Sequence, residues 1–290
     1  PKTPRRQRQM CIRDSPRGAR GLCHVHNARG TADRPHRRVR YRQWPSRFNH
    51  PSGEPSLPRF LPRAGRSLNM TNLPVPHALL FDWDGTLIDN WDAIVAGTND
   101  ALAAFGKPTW SREEAMNRIS ASQRDSFPKL FGDDWERARD IFYEGFLREH
   151  LTLLTVLEGA EELLDANADL PMALVSNKHG DFLRKEAAYL GWTGRFAIIL
   201  GAMDAEHDKP DPAPVYMALN AMDLQANGHI WFIGDSHTDM ATARAAGCTS
   251  VLVTHPAANP APIPEELAPD LSVPDLTTLR EVLAGIRPGT

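Results

Sequence analysis

Five short apolar runs alternate with helical patterns over most of residues 70–290, and this alternation limits the fold more than any other feature of the chain. The runs are residues 79–81, 172–175, 197–200, 230–233 and 251–253. Strands that are buried on both faces of a parallel sheet have such continuous apolar sequences. Strands that alternate with helices indicate βαβ units. The sequence therefore predicts an α/β fold built on a parallel sheet.

Residues 91–155 interrupt the alternation. They contain no convincing strand, but helical patterns cover residues 91–105, 112–119 and 135–149. About 65 residues of helix are too many for one crossover between neighbouring strands. We expect an inserted all-helical subdomain, which would lie above the carboxyl ends of the strands and act as a lid.

Each predicted strand ends in polar residues, and ligands of open α/β sheets bind in the crevice beyond those strand ends. A carboxylate there can act as a nucleophile, and a second one can share a cation or move a proton. Singly, each group has an ordinary explanation, such as a strand that runs into an Asp-Gly turn. The groups recur in a fixed order along the chain: Asp82, Asp84, Ser176, Asn177, Lys209, Asp235 and Asp239.

This order resembles the motif order of the haloacid dehalogenase superfamily, in its phosphatase branch, over residues 78–255. The matching motifs are Asp-x-Asp-Gly-Thr-Leu from Asp82, Ser-Asn at Ser176, Lys-Pro-x-Pro from Lys209 and Gly-Asp-Ser-x-x-Asp from Gly234. The resemblance implies a Rossmann-like three-layer core with a helical cap of the C1 type. The core would comprise residues 70–90 and 156–290, and the cap residues 91–155.

The resemblance also implies catalytic roles. Asp82 would attack phosphorus and form an aspartyl-phosphate, and Asp84 would protonate the leaving oxygen and then activate water. Ser176 would donate a hydrogen bond to a phosphoryl oxygen, and Lys209 would pair with the phosphoryl group and with Asp82. Backbone amides, among them those of Asn177 and Gly85, would complete the phosphate site.

A magnesium ion is the cofactor that the resemblance implies. Its ligands would be Asp82, the backbone carbonyl of Asp84 and Asp235, with Asp239 either ligating directly or orienting metal-bound water. Hard oxygen donors of this kind are those that Mg²⁺ prefers.

Single positions discriminate among branches of the superfamily. Dehalogenases lack the acid at Asp84, because a leaving halide needs no proton. Sugar-phosphate mutases of the same branch usually carry a histidine about a dozen residues after the nucleophile, and Ile94 stands there. The Asp-Gly-Thr-Leu-x-Asp motif together with Asn177-Lys178 looks most like that of phosphoglycolate phosphatases, although Asn90 departs from their usual serine. A sugar-phosphate mutase is the alternative, and Arg124 is the candidate contact for a substrate carboxylate or distal phosphate.

The first 69 residues differ from the rest of the chain. They hold 17 Lys and Arg but three acidic residues, whereas residues 70–290 hold 16 basic and 33 acidic ones. No hydrophobic period is present, which predicts a disordered Arg- and Pro-rich segment. It can be interpreted as a nucleic-acid-binding arm, as a transit peptide, or as upstream sequence with the true start at Met70. We favour the last interpretation, so nucleic acid is not the expected partner.

The remaining composition narrows the cellular setting. Three scattered cysteines give no disulfide framework, which favours a reducing cytoplasm. The apolar runs are too short to span a bilayer. We expect a cytoplasmic monomer or homodimer that acts on a small phosphorylated metabolite.

Overall fold

The computed structural model describes residues 73–119, 121–254 and 261–287, all of which belong to one compact unit. The segment 1–69, with its predicted disorder, lies outside the described residues. The strands are β1 (Ala78–Phe81), β2 (Ile88–Asp89), β3 (Thr155–Val156), β4 (Met172–His179), β5 (Ile198–Ala202), β6 (Ile230–Gly234), β7 (Thr249–Val253) and β8 (Leu271–Val273).

The helices fall into two groups along the chain. Four lie between β2 and β3: α1 (Trp91–Ala104), α2 (Arg112–Arg118), α3 (Gln123–Phe131) and α4 (Trp135–Glu149). Five follow β3: α5 (Ala160–Ala166), α6 (Gly180–Tyr189), α7 (Ala213–Ala221), α8 (His237–Ala246) and α9 (Leu276–Ile286).

Six of the strands form one parallel sheet in the order β5-β4-β1-β6-β7-β8. Its central strand β1 is buried along its whole length. Leu79 and Phe81 pack into a core with α5, α6 and α9, whereas Ala78 and Leu80 belong to a second core with α7 and α8. The sheet is therefore the middle of three layers, and the predicted Rossmann-like α/β class is confirmed.

The helices α1–α4 form an insert with an aromatic core of its own. Phe127, Phe131, Phe142 and Phe146 are buried there, and Phe182 of α6 packs against them from the sheet side. The short antiparallel pair of β2 and β3 joins the two ends of the insert. The exact division at residues 90/91 and 155/156 stays a prediction.

The structure adds elements that the periodicity did not reveal. Helix α3 contains Pro128, β8 has three residues, and β2 and β3 have two residues each, so none gives a strong pattern. Strand β4 also extends to His179, with a register shift between Val175 and His179. Such irregularities often redirect side chains at active sites. No described helix has both the length and the apolar character needed to cross a bilayer.

Candidate active site at the carboxyl edge of the sheet

A compact turn after β1 positions the first two acids. The Asp82 N–H donates to the Ile233 carbonyl at 2.9 Å, which continues the sheet one residue beyond Phe81. The Trp83 carbonyl then accepts hydrogen bonds from the amides of residues 86–88. These bonds hold Asp82 and Asp84 at the carboxyl edge of the central strand.

Lys209 lies between two of the predicted acids. Its Nζ is 2.8 Å from Asp82 Oδ1 and 2.6 Å from Asp239 Oδ1, and the lysine is 2% exposed. Burial disfavours the charged lysine, but Asp239 and Asp82 outweigh this effect and raise its pKa. Burial also raises the pKa of Asp82, Lys209 counteracts that effect, and Asp239 adds to it. Lys209 is therefore a fixed cation directly beside Asp82.

Three buried carboxylates, those of Asp82, Asp235 and Asp239, have oxygens within 4.8 Å of one another. Gly85 borders this cluster with a φ of +80°, and a Cβ atom there would lie 2.1 Å from Asp235 Oδ2. A glycine is therefore required, both for the backbone conformation and for the space. Hard oxygen donors and the open space beside them fit a magnesium ion.

Asp239 is held on both sides. Its Oδ1 accepts from Lys209, and its Oδ2 accepts from the Ser236 hydroxyl at 2.6 Å and the Ser236 amide at 3.1 Å. The Ser236 amide bond forms the capping box of α8 together with the Asp239 amide, which donates to the Ser236 hydroxyl oxygen at 3.3 Å. Direct ligation of a metal by Asp239 stays a prediction, because each of its oxygens already accepts at least one hydrogen bond.

Asp84 is paired with a second buried lysine. Lys178 Nζ lies 2.7 Å from Asp84 Oδ1 and 2.7 Å from Glu186 Oε2. Burial raises the pKa of Asp84 to about 7, although Lys178 acts in the opposite direction. The pKa of Glu186 is lowered, since Lys178 and further donors outweigh the effect of burial. Asp84 therefore exchanges its proton near neutral pH, as a general acid and base requires.

Lys178 and Glu186 lie outside the residues for which the sequence motifs predict a role. A signal was present in α6, where Phe182, Leu183 and Ala187 recur at helical spacing. Glu186 lies on the same face, and it is fully buried. An acid on the apolar face of a helix is informative because it requires buried partners.

Strand β4 contributes Ser176 and Asn177 in its carboxyl half. Ser176 is 6% exposed, and its hydroxyl accepts from the Lys178 amide at 3.3 Å. The Asn177 side-chain amide donates to the Lys209 carbonyl at 2.9 Å and so fastens the lysine loop to β4. The Ser176 hydroxyl keeps its own proton for a further acceptor.

A cavity of about 110 Å³ lies between these strand ends and the helical insert. Its walls include Asp82, Asp84, Ser176, Asn177, Lys209 and Asp235 from the sheet side. Apolar side chains of the insert face them, namely Trp91, Ile94, Ile119, Phe142 and Phe146. The sheet side therefore offers the charged groups, and the insert offers an apolar wall opposite them.

Arg124, the candidate substrate contact, is not among the residues that line this cavity. It forms an ion pair between the insert and the sheet domain, in which Arg124 Nη2 lies 3.1 Å from Asp208 Oδ1. The Asp208 carboxylate also accepts from the Met203 amide at 2.9 Å. A role in substrate binding stays a prediction, and the ion pair is a competing role.

Comparison with known proteins agrees with this geometry. The family model of haloacid dehalogenase-like hydrolases matches residues 79–253, which include both ends of the candidate site. The chain belongs to this family. The predicted family is thereby confirmed, and the chain is an enzyme of the hydrolase class.

Curated relatives of this hydrolase are phosphatases. A phosphoglycolate phosphatase of Pectobacterium atrosepticum is 33% identical over 198 residues, which cover 64% of this chain and 83% of that protein. An N-acetylmuramic acid 6-phosphate phosphatase of Pseudomonas aeruginosa is 30% identical over 196 residues, or 63% of this chain and 86% of that protein. Phosphatase chemistry is thus common to relatives with different named substrates.

Solved structures share the fold. The crystal structure of a predicted phosphoglycolate phosphatase from Haemophilus somnus matches with a TM-score of 0.64 at 22% identity, covering 72% of this chain and 99% of that protein. A haloacid dehalogenase-like protein from Streptococcus pneumoniae matches with a TM-score of 0.63 at 20% identity, covering 73% of this chain and 99% of that protein.

Proposed function

We propose that this hydrolase is a Mg²⁺-dependent phosphatase that cleaves small phosphomonoesters through an aspartyl-phosphate on Asp82. The observation that carries the proposal is the difference in electrostatic surroundings between Asp82 and Asp84. Asp82 lies 2.8 Å from the fixed cation Lys209, which counteracts the rise that burial causes in its pKa, whereas the pKa of Asp84 is raised to about 7. A nucleophile must stay ionised, and a general acid must carry a proton near neutral pH.

In the first half-reaction, an Asp82 oxygen bonds to phosphorus while the bond from phosphorus to the leaving oxygen breaks. The proton of Asp84 passes to that leaving oxygen. In the second half-reaction, Asp84 takes a proton from water, the water oxygen bonds to phosphorus, and the bond between Asp82 and phosphorus breaks. Each group ends as it began, so the cycle balances.

The surrounding residues bind and orient the phosphoryl group. The Lys209 ammonium attracts a phosphoryl oxygen as a point charge, and the Ser176 hydroxyl donates a hydrogen bond to another. The amides of Asn177 and Gly85 are further donors. Phosphoryl transfer depends mostly on positioning and charge stabilisation of this kind.

The proposed metal site consists of Asp82, Asp235 and the carbonyl of Asp84, with Asp239 beside them. When bound, Mg²⁺ offsets the repulsion between the carboxylates and the phosphate dianion. Asp239 keeps Lys209 and Ser236 in place, and we propose that it acts from the second coordination shell.

The substrate is proposed to be a phosphorylated metabolite of the size of phosphoglycolate or somewhat larger. A second cavity of about 400 Å³ within the insert shares Ile94, Ile119 and Phe142 with the first. Phosphatase relatives act, by their names, on phosphoglycolate and on a phosphorylated amino sugar acid. The mutase alternative is disfavoured, because Ile94 lines the cavity and has no proton to transfer.

A panel of phosphorylated metabolites tests this proposal, with phosphate release measured on the full chain with Mg²⁺ and with EDTA. We expect turnover with Mg²⁺, loss with EDTA, and a fall of at least about 1,000-fold in Asp82→Asn, since the nucleophile is gone. Activity that survives in Asp82→Asn would refute the covalent mechanism. Isomerisation of a sugar phosphate without phosphate release would favour the mutase.

A further inference from the structure

Glu186 is the centre of a buried polar network below the cavity. Although it lies on the apolar face of α6 and is fully buried, it accepts hydrogen bonds at both oxygens. Oε2 accepts from Lys178 Nζ and from Trp83 Nε1, each at 2.7 Å. Oε1 accepts from Asn90 Nδ2 at 2.9 Å and lies 3.0 Å from His150 Nδ1.

The partners of Glu186 come from functionally distinct parts of the chain. Trp83 lies between the two active-site acids. Asn90 precedes the first residue of α1, and His150 follows the last residue of α4, so these two mark the ends of the helical insert. The network therefore fixes both ends of the insert relative to the turn that carries Asp82 and Asp84.

Lys178 connects this network to Asp84. Its side chain is 6% exposed, and its ammonium bridges Asp84 Oδ1 and Glu186 Oε2 at equal distances of 2.7 Å. An ammonium donates hydrogen bonds and accepts none. It can therefore hold one oxygen of Asp84 while the other oxygen remains available to carry a proton.

A purely structural role explains this arrangement poorly. Well-packed apolar side chains of similar volume usually stabilise a core as well as a buried ion pair does. Glu186 contacts the residues at both ends of the insert, but none of these contacts requires Lys178. What the pair does supply is a fixed direction for the Asp84 carboxyl group toward the cavity.

We propose that Lys178 and Glu186 are positioning residues that hold Asp84 in the orientation for protonating the leaving oxygen. This inference rests on the proposed function. Phosphomonoesters with poor leaving groups depend on that proton, whereas aryl phosphates with an activated leaving group depend on it far less. Loss of the pair therefore lowers turnover selectively for alkyl phosphates.

The test compares phosphoglycolate, or another alkyl phosphate that the enzyme hydrolyses, with 4-nitrophenyl phosphate on the full chain with Mg²⁺. For Lys178→Met and Glu186→Gln we expect kcat for the alkyl phosphate to fall about 100-fold, the lower range for general acid catalysis. For the aryl phosphate we expect a fall of a few-fold, and KM for both substrates changes little. Lys185→Met, an exposed lysine on the same helix, is the matched control and keeps both rates.

The double variant Lys178→Met/Glu186→Gln separates positioning from folding. It removes the Glu186 charge that Lys178→Met leaves unpaired, and it keeps an amide oxygen at position 186 as an acceptor, so we expect its melting temperature to exceed that of Lys178→Met. The selective loss on the alkyl phosphate persists nevertheless. Equal losses on both substrates, or recovery of alkyl phosphate turnover together with stability, would overturn the inference.

Asp82→Asn distinguishes this outcome from failure of the proposed function. If Asp82→Asn is inactive on both substrates and Lys178→Met shows no selectivity, the positioning role alone is wrong. If Asp82→Asn keeps its activity, the proposed function itself is wrong.

Discussion

At the scale of single residues, Gly85 shows how the backbone and the acidic cluster depend on each other. Its φ of +80° favours glycine, and the space of a Cβ atom is filled by the Asp235 carboxylate. Gly191 has a similar φ of +73°, but no atom lies within 4 Å of its Cβ position. The two glycines therefore separate the cost of the backbone conformation from the cost of the clash.

Gly85→Ala is expected to weaken the metal site, whereas Gly191→Ala is expected to affect stability alone. Both variants lose about 1–2 kcal/mol from the left-handed conformation. Gly85→Ala must in addition displace Asp235, so the Mg²⁺ concentration for half-maximal activity should rise at least about 10-fold. Metal titrations of activity on both variants measure this difference, and equal Mg²⁺ dependence would contradict it.

Asp84 links its proposed catalytic role to stability through its raised pKa. Folding favours the protonated form of a carboxyl whose pKa is raised, so this group lowers stability as pH increases from about 4 to about 7. Asp84→Asn has no such loss. Because 15% of the Asp84 side chain is exposed, we expect the pH-dependent part of the difference in unfolding free energy to be on the order of 1–3 kcal/mol rather than the full linkage value.

Melting temperatures of the metal-free proteins between pH 5 and pH 8 check this sign. The difference between Asp84→Asn and wild type should grow with pH and level off above about pH 8. The exposed control Asp133→Asn should show no such trend. A difference that shrinks with rising pH would show that Lys178 dominates the titration of Asp84.

At the scale of elements, side-chain contacts connect the helical insert to the sheet, in addition to the polypeptide chain itself. Phe182 of α6 contacts Phe146 and Tyr143 of α4. Arg124 of α3 forms an ion pair with Asp208, whose side chain is 2% exposed. The pair lies next to Lys209, so it can hold the insert closed over the fixed cation.

A double-mutant cycle on Arg124→Met and Asp208→Asn distinguishes this contact from substrate binding. The Arg124 side chain is 34% exposed, so we expect Arg124→Met to cost about 1–2 kcal/mol of unfolding free energy. The double variant should cost less than the sum of the single variants. If Arg124 instead binds a substrate carboxylate, Arg124→Met will raise KM for phosphoglycolate but not for a neutral alkyl phosphate. This rise in KM will be the same whether or not Asp208 is also substituted.

An element could be predicted from the sequence when its residues are buried along its whole length. The strands 78–81 and 230–234 are continuous apolar runs inside the sheet, and the sequence located them within one residue. Strand β8 has an exposed residue between two buried ones, and α3 contains Pro128, so their patterns were too short or too irregular.

The residues of the site likewise fall into those that the sequence predicted and those that it did not. Asp82, Lys209 and Asp235 follow strands, Ser176 lies in the carboxyl half of β4, and the parallel sheet brings them to one edge. Glu186 could not be placed in the same way, because its role arises from donors 8 to 103 residues away in the sequence. Long-range contacts of that kind are determined by packing and leave only a buried acid as a local sign.

At the scale of the whole molecule, the described sheet, insert and candidate site all lie within residues 73–287, and the Arg-rich segment 1–69 lies before them. We therefore expect a protein of residues 70–290 to keep the kcat/KM and melting temperature of the full chain within about two-fold and about 2 °C, since the removal leaves every residue of the described core and candidate site in place. Removing 17 basic residues should abolish any salt-dependent retention on nucleic acid that the full chain shows. Phosphate release, thermal unfolding and binding to a DNA duplex at two salt concentrations measure the three properties. A truncated protein that loses phosphatase activity while its melting temperature is unchanged would assign a catalytic role to the basic segment and contradict this expectation.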